Sequence, residues 1–219
     1  VSTPVEPTPQ DVTALTDVEN SVMAVVADGE PADNPDAPVQ DGEVVEAALE
    51  PAPMGHTGAM VALVPSQGNI DRIAAPEGEH PDELHCTVVY LGEAAAISDE
   101  AFAAIMDDIV GYAEDNPGPI VGEGFNVALF NPHREDKDTC VVLGLSGGAL
   151  GTAHRHLHER IMKRLDETST EIPEQHEPWI PHVTLAYTED SARVQELSDR
   201  TGDITFDRIR VAIGDDVYD

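Results

Sequence analysis

Two stretches of this sequence repeat one short pattern, His85-Cys86-Thr87-Val88-Val89-Tyr90 and His182-Val183-Thr184-Leu185-Ala186-Tyr187. Each opens His-x-Thr-apolar and reaches a tyrosine five residues after the histidine. Side chains on a strand alternate between its faces, so a histidine and a threonine two residues apart point the same way, about 7 Å apart along the backbone. Val183, Leu185 and Tyr187 divide between the face opposite His182 and Thr184 and the end of their strand. Cys86, Val88 and Tyr90 divide between the opposite face of the first strand and its end. Two such strands facing one cleft would set an imidazole on either side of a phosphate, an acid and base pair near neutral pH. Thr87 and Thr184 would donate to its non-bridging oxygens, each bond to a charged acceptor being worth about 1.5–3 kcal/mol. This chemistry calls for no metal and no cofactor. Of the nine histidines, only His85 and His182 have a threonine two places on and an apolar residue after it. That duplication separates them from an ordinary packed histidine.

The remaining chemistry-bearing residues have plainer readings. His154 and His158 stand one helical turn apart, a spacing used in metal sites, but no carboxylate or cysteine completes a ligand set, and packing is the favoured reading. His156 faces away from them. Arg134, after Asn131-Pro132-His133, reads as a solvated loop cation, with contact to a phosphate as the sharper alternative. Trp179, the single tryptophan, reads as a packed residue rather than a base-stacking platform. Gly147-Gly148 reads as a turn rather than an anion cradle. Cys86 and Cys140 each sit in an apolar run, which fits small buried hydrophobes in a reducing compartment better than a disulfide.

The elements that would carry these residues follow from hydrophobic periodicity and from turn residues. Strands are expected over Met60 to Val64, Leu84 to Leu91, Val121 to Phe130, Thr139 to Leu145, Ile180 to Tyr187 and Ile204 to Ile213. A short helix is expected over Ile70 to Ala75. A longer one runs from Ser98 to Tyr112, with Ser98 as N-cap and Asp99 and Glu100 in its first turn. Another spans about Leu150 to Leu165, with Leu150, Ala153, Leu157, Ile161 and Leu165 on one stripe. Strands and helices alternate without a regular βαβ march, so the fold class is α+β. Met60 to Tyr90 and Val141 to Tyr187 both read strand, helix, His-x-Thr strand, a weak repeat that predicts two similar lobes about a pseudo-twofold axis.

The sequence has 219 residues, 43 Asp and Glu against 11 Lys and Arg, and a formal charge of −32. Such a surface excludes a counterion-releasing grip on long nucleic acid and disfavours an anionic membrane. The apolar runs are far shorter than the roughly 20 residues of a membrane span, and the N-terminus lacks a secretory layout. A soluble cytoplasmic protein is expected. Residues 1–55 hold 12 acidic residues, eight prolines, and no Lys, Arg or aromatic residue. They read as a disordered acidic tail, ahead of a domain over 56–219. Helical spacing of Leu15, Val18, Val22, Val25 and Val26 offers docking helices as the sharper reading of that tail.

The paired motifs on strands of a two-lobed α+β domain resemble the 2H phosphoesterase superfamily, which includes the RNA 2′,3′-cyclic phosphodiesterases also called 2′-5′ RNA ligases. The resemblance covers about Ala59 to Asp215. It is carried most specifically by Leu84-His-Cys-Thr-Val-Val-Tyr-Leu-Gly-Glu93 and Trp179-Ile-Pro-His-Val-Thr-Leu-Ala-Tyr187. Phe130-Asn-Pro132 and Thr205-Phe-Asp-Arg-Ile-Arg210 are similar to 2H-like domains from head-assembly regions of actinobacterial tailed phages. The resemblance implies catalysis by His85 and His182, with phosphate held by Thr87 and Thr184. The expected activity is metal-independent hydrolysis of a small nucleotide carrying a cyclic or 2′-linked phosphate. The alternatives are a virion module that docks on a phage head protein through its tail, and an enzyme that cuts cyclic oligonucleotide signals.

Overall fold

The computed structural model describes residues 57–132 and 138–219. The acidic N-terminal segment and the stretch with His133 and Arg134 lie outside the described residues. Strands β1 (Gly58–Pro65), β2 (Cys86–Glu93), β3 (Ile120–Phe130), β4 (Cys140–Ser146), β5 (His182–Tyr187), β6 (Gly202–Ile213) and β7 (Asp216–Tyr218) form one sheet. Helices α1 (Gln67–Ile73), α2 (Asp99–Asp115), α3 (Gly148–Glu167) and α4 (Ala192–Glu196) connect or flank them. The strand order is β2-β1-β6-β3-β4-β5, with β7 on β6, and every ladder is antiparallel. This is an α+β fold.

Local sequence explains the long helices. Ser98 caps α2 by accepting from the Ala101 amide at 3.2 Å, and Asp99 and Glu100 lie at the positive end of the helix dipole. Ala101, Ile105, Ile109 and Tyr112 recur at three- and four-residue spacing and are buried. In α3 the buried residues are Leu150, Ala153, Leu157, Ile161 and Leu165, the apolar stripe of the sequence. Burying each large aliphatic one contributes about 1.5–3 kcal/mol. Arg164 then ties α3 to α2, its Nε and Nη2 donating to the two Asp108 oxygens at 2.8 and 3.2 Å. At the start of α3 Gly147 has φ 137°, and a Cβ there would lie 3.2 Å from the Gly122 Cα. Close approach in a turn accounts for that glycine. No helix among the described residues is long and apolar enough to cross a membrane.

The motif strands β2 and β5 stand at opposite ends of the hydrogen-bonded path, yet they approach each other. Each receives a strap from the segment leading into the other. The Glu79 amide, ahead of β2, donates to the Leu185 carbonyl of β5 at 2.8 Å. Ahead of β5, the Trp179 indole N–H donates to the Thr87 carbonyl at 3.1 Å. The Gln175 side chain brackets Tyr90, accepting from its N–H at 3.1 Å and donating to its C=O at 2.9 Å. Backbone groups that end strands would leave unpaired are thereby satisfied.

Candidate active site

The approach of β2 to β5 brings His85, Thr87, His182 and Thr184 to the wall of one cavity of about 380 Å³. His85 sits one residue before β2 rather than within it, after a single 3₁₀ turn over Pro81–Glu83. His182 is the first residue of β5. Both imidazoles are anchored alike, His85 Nδ1 to the Glu83 carbonyl at 2.5 Å and His182 Nδ1 to the Ile180 carbonyl at 2.8 Å. A carbonyl only accepts, so each Nδ1 carries the proton and each Nε2 is left to exchange one. Burial lowers both histidines below the ordinary 6.5. For His85 the Glu83 carbonyl bond opposes that shift, and the charges of Arg210 and His182 add to it. For His182 the Ile180 carbonyl bond opposes it. The Phe130 ring packs on His182 with centroids 4.8 Å apart.

Both motif strands carry a β-bulge one residue past the threonine. Thr87 pairs with Ala62 while Val89 pairs with Val61, so Val88 is the extra residue. Thr184 pairs with Val142 while Ala186 pairs with Val141, so Leu185 is extra. A bulge shifts the alternation by one and re-aims the side chains beyond it. Past the Leu185 bulge Tyr187, the last residue of β5, lines the cavity with His182 and Thr184. Desolvation, then the charges of Glu79, Cys140 and Asp138, raise its hydroxyl above the ordinary tyrosine value, so it is a hydrogen-bond donor at neutral pH.

Further lining residues carry no motif signal. Asn131, the residue after β3, has φ 54°, accepts from the Thr139 hydroxyl through its carbonyl at 3.2 Å, and lines the cavity. The Phe130-Asn-Pro stretch was the only hint of it. Glu79, Glu83 and Asp138 also line the cavity, three carboxylates that no local pattern distinguishes from the general acid excess.

Of the other candidates among the described residues, Cys140 lines the cavity, whereas Cys86, His154, His156, His158 and Trp179 do not. His154 stacks on the Trp179 indole at 3.8 Å and 6°, and its ring lies 5.5 Å from that of His158. Burial, then the neighbouring His158, lowers His154 to about 4. With one indole face on His154 and its N–H on Thr87, Trp179 pins the approach to β5 against β2. His156 is exposed. Cys86 and Cys140 are free thiols and buried; burial pushes Cys86 up to about 12 against a bond to the His182 backbone.

The family model of the 2′-5′ RNA ligase superfamily matches residues 65–215. No curated protein matches the sequence. Among solved structures, one described as a phosphoesterase is 12% identical with a TM-score of 0.47, covering 71% of this chain and 86% of that one. E. coli LigT complexed with 3′-AMP is 14% identical, TM-score 0.46, over 74% and 93%. Kluyveromyces marxianus Usb1 with uridine monophosphate is 12% identical, TM-score 0.46, over 74% and 95%. With more than half of its length matched by the family model, the chain belongs to the 2′-5′ RNA ligase superfamily.

Proposed function

We propose that the protein is a phosphodiesterase that opens a small cyclic or 2′-linked nucleotide phosphate, with His85 and His182 as its acid and base. The observation that carries this reading is the matched anchoring of the two imidazoles. Each holds Nδ1 on a main-chain carbonyl two residues back, and both line one cavity together with Thr87 and Thr184. One neutral histidine takes a proton from water. The water oxygen bonds to phosphorus, the P–O bond to the leaving ribose oxygen breaks, and the other histidine, protonated, delivers its proton to that oxygen. The product is a phosphomonoester. Thr87 and Thr184 donate to the non-bridging oxygens, whose charge grows in the transition state. A cavity of about 380 Å³ lies at the small end of the range for ligand sites, in keeping with a mononucleotide-sized substrate.

A pseudo-twofold origin for the site is part of the same reading. Its support is threefold: motif strands at both ends of the path, a bulge after each threonine, and a strap from each half onto the other. The testing experiment incubates purified full-length chain with nucleoside 2′,3′-cyclic phosphates, 2′-5′ oligomers and cyclic oligonucleotides, beside the His85→Ala/His182→Ala double variant. Turnover of a small cyclic phosphate that persists in EDTA and vanishes in the double variant is expected. Equal turnover by both proteins, or none on any substrate, would overturn it.

A further inference from the structure

We propose that Arg210, on β6, is a positioning residue for His85: it fixes the turn that orients the imidazole and holds a positive charge near it. Arg210 is only 8% exposed. Its Nε and Nη2 fork onto the Asp219 carboxylate at 2.7 and 2.9 Å. Its third arm, Nη1, donates to the Asp82 carbonyl at 2.5 Å. Asp82 is the middle residue of the Pro81–Glu83 turn, and the next carbonyl, that of Glu83, is the one that accepts from His85 Nδ1. A chain of hydrogen bonds thus runs from Asp219 through Arg210 to the peptide adjoining the His85 anchor.

The sheet register explains how a β6 side chain reaches a turn outside β2. Arg210 pairs with Ala62 and Ala62 with Thr87, one row across three strands. A methyl group at the middle position leaves room for the long side chain to cross β1. The carboxylate of Asp219 is lowered by its bonds to Arg210, so the pair is ionised on both sides and the guanidinium is held in place rather than free to turn.

Arg210 also distinguishes the two histidines. The charged and titratable groups around His85 are Glu83 on its own turn, Arg210 on β6 and His182 on β5, with Glu79, Asp138, Cys140 and Tyr187 across the cavity. Glu83 favours its imidazolium, whereas Arg210 and His182 disfavour it. His182 is shifted by burial and its carbonyl bond, with no contribution from Arg210. The guanidinium therefore biases His85 in particular toward the neutral, proton-accepting form.

The inference rests on reading His85 as an acid-base group, but its test needs no substrate, so failure here and failure to hydrolyse are separately visible. Histidine ring resonances of the full chain are followed by NMR from pH 4 to 9, in the parent and in Arg210→Gln. Removing the positive charge should raise the His85 midpoint by about 0.3–1 pH unit, the range for a screened neighbouring charge, and leave His182 in place. The low-field Nδ1–H signal of His85 should broaden while that of His182 persists. An unchanged His85 midpoint, or an equal shift at His182, overturns the proposal. If Arg210→Gln does not fold, Asp219→Asn carries the test: loosening the fork should broaden the His85 Nδ1–H signal alone, and sharp signals from both histidines would overturn it.

Discussion

In the proposed reaction His85 and His182 act through Nε2, because Nδ1 of each is committed to a carbonyl. Both are lowered from 6.5 by burial, which sets the pH dependence of the proposed reaction. The rate falls at low pH as the base histidine gains a proton and at high pH as the acid histidine loses one. With both groups lowered, the bell of kcat/KM should centre below pH 6.5 rather than at neutrality, its limbs reporting macroscopic values of the pair. Single alanine substitutions should cost about 10²–10⁴-fold, and the double substitution far less than their product if the two act as a unit. Thr87→Val or Thr184→Val should cost about 10–100-fold, from 1.5–3 kcal/mol per charged hydrogen bond. A flat pH–rate profile, or full turnover in a single histidine variant, would remove the pair from the chemistry. A second residue-scale prediction concerns His154, lowered to about 4 by burial and by His158. A histidine that binds its proton less readily when folded stabilises fully above its unfolded value near 6.5, and that contribution is lost as pH falls from there toward 4. Its protonation happens against the only tryptophan, 3.8 Å away. Trp179 fluorescence should therefore titrate with a midpoint near 4, and His154→Leu should abolish the titration.

At the scale of elements, the straps decide whether β2 and β5 stay together. Trp179→Phe keeps an aromatic ring for His154 to stack on but deletes the donor to the Thr87 carbonyl. It should lower unfolding free energy by about 1 kcal/mol, read by urea denaturation followed by circular dichroism. Leu157→Ala, in the α3 stripe at 1% exposure, should cost about 2–5 kcal/mol by opening a cavity. If the two variants were equally stable, the packing of α3 would carry less weight than its burial implies. The α3 stripe and the Ser98 cap were readable from the sequence because helical periodicity and capping chemistry are local signals. So were the histidine and threonine positions, since their spacing repeats. The bulges at Val88 and Leu185 were not, because both are apolar residues in apolar runs, and nothing local marks which one a partner strand will skip. A period of two carried past Leu185 would turn Tyr187 away from the cavity for that reason. Asn131, Glu79 and Asp138 come to the cavity through loops and strand ends whose placement depends on the β2–β5 approach, a contact between segments about 100 residues apart. α4 and β7, five and three residues long, are too short for a periodic pattern to register.

For the molecule as a whole, charge is the dominant fact. The formal charge is −32, and residues beyond 55 keep 31 acidic residues against all 11 basic ones. Like-charge repulsion opposes the compact state, and salt screens it, the Debye length falling from about 30 Å at 0.01 M to about 10 Å at 0.1 M. The melting temperature should therefore rise with NaCl from 10 to 500 mM and be unmoved by an uncharged solute of equal osmolarity. The same field acts on the proposed substrate, because a phosphodiester monoanion beside the histidines shares the cavity with Glu79, Glu83 and Asp138. Association of two like-charged partners is slowed at low ionic strength and recovers when the field is screened. So kcat/KM on a nucleoside 2′,3′-cyclic phosphate should climb about 2–5-fold over the same salt range, the reverse of a phosphodiesterase with a basic cleft. Hydrolysis turns that monoanion into a phosphomonoester with close to two charges, which the acidic lining repels more strongly, so inhibition by product should be weak at low salt. Glu83→Gln should flatten the salt dependence without changing its sign. A kcat/KM that falls with salt would show instead that a cationic group dominates the field at the cavity, and the acidic lining would lose its part in admitting substrate.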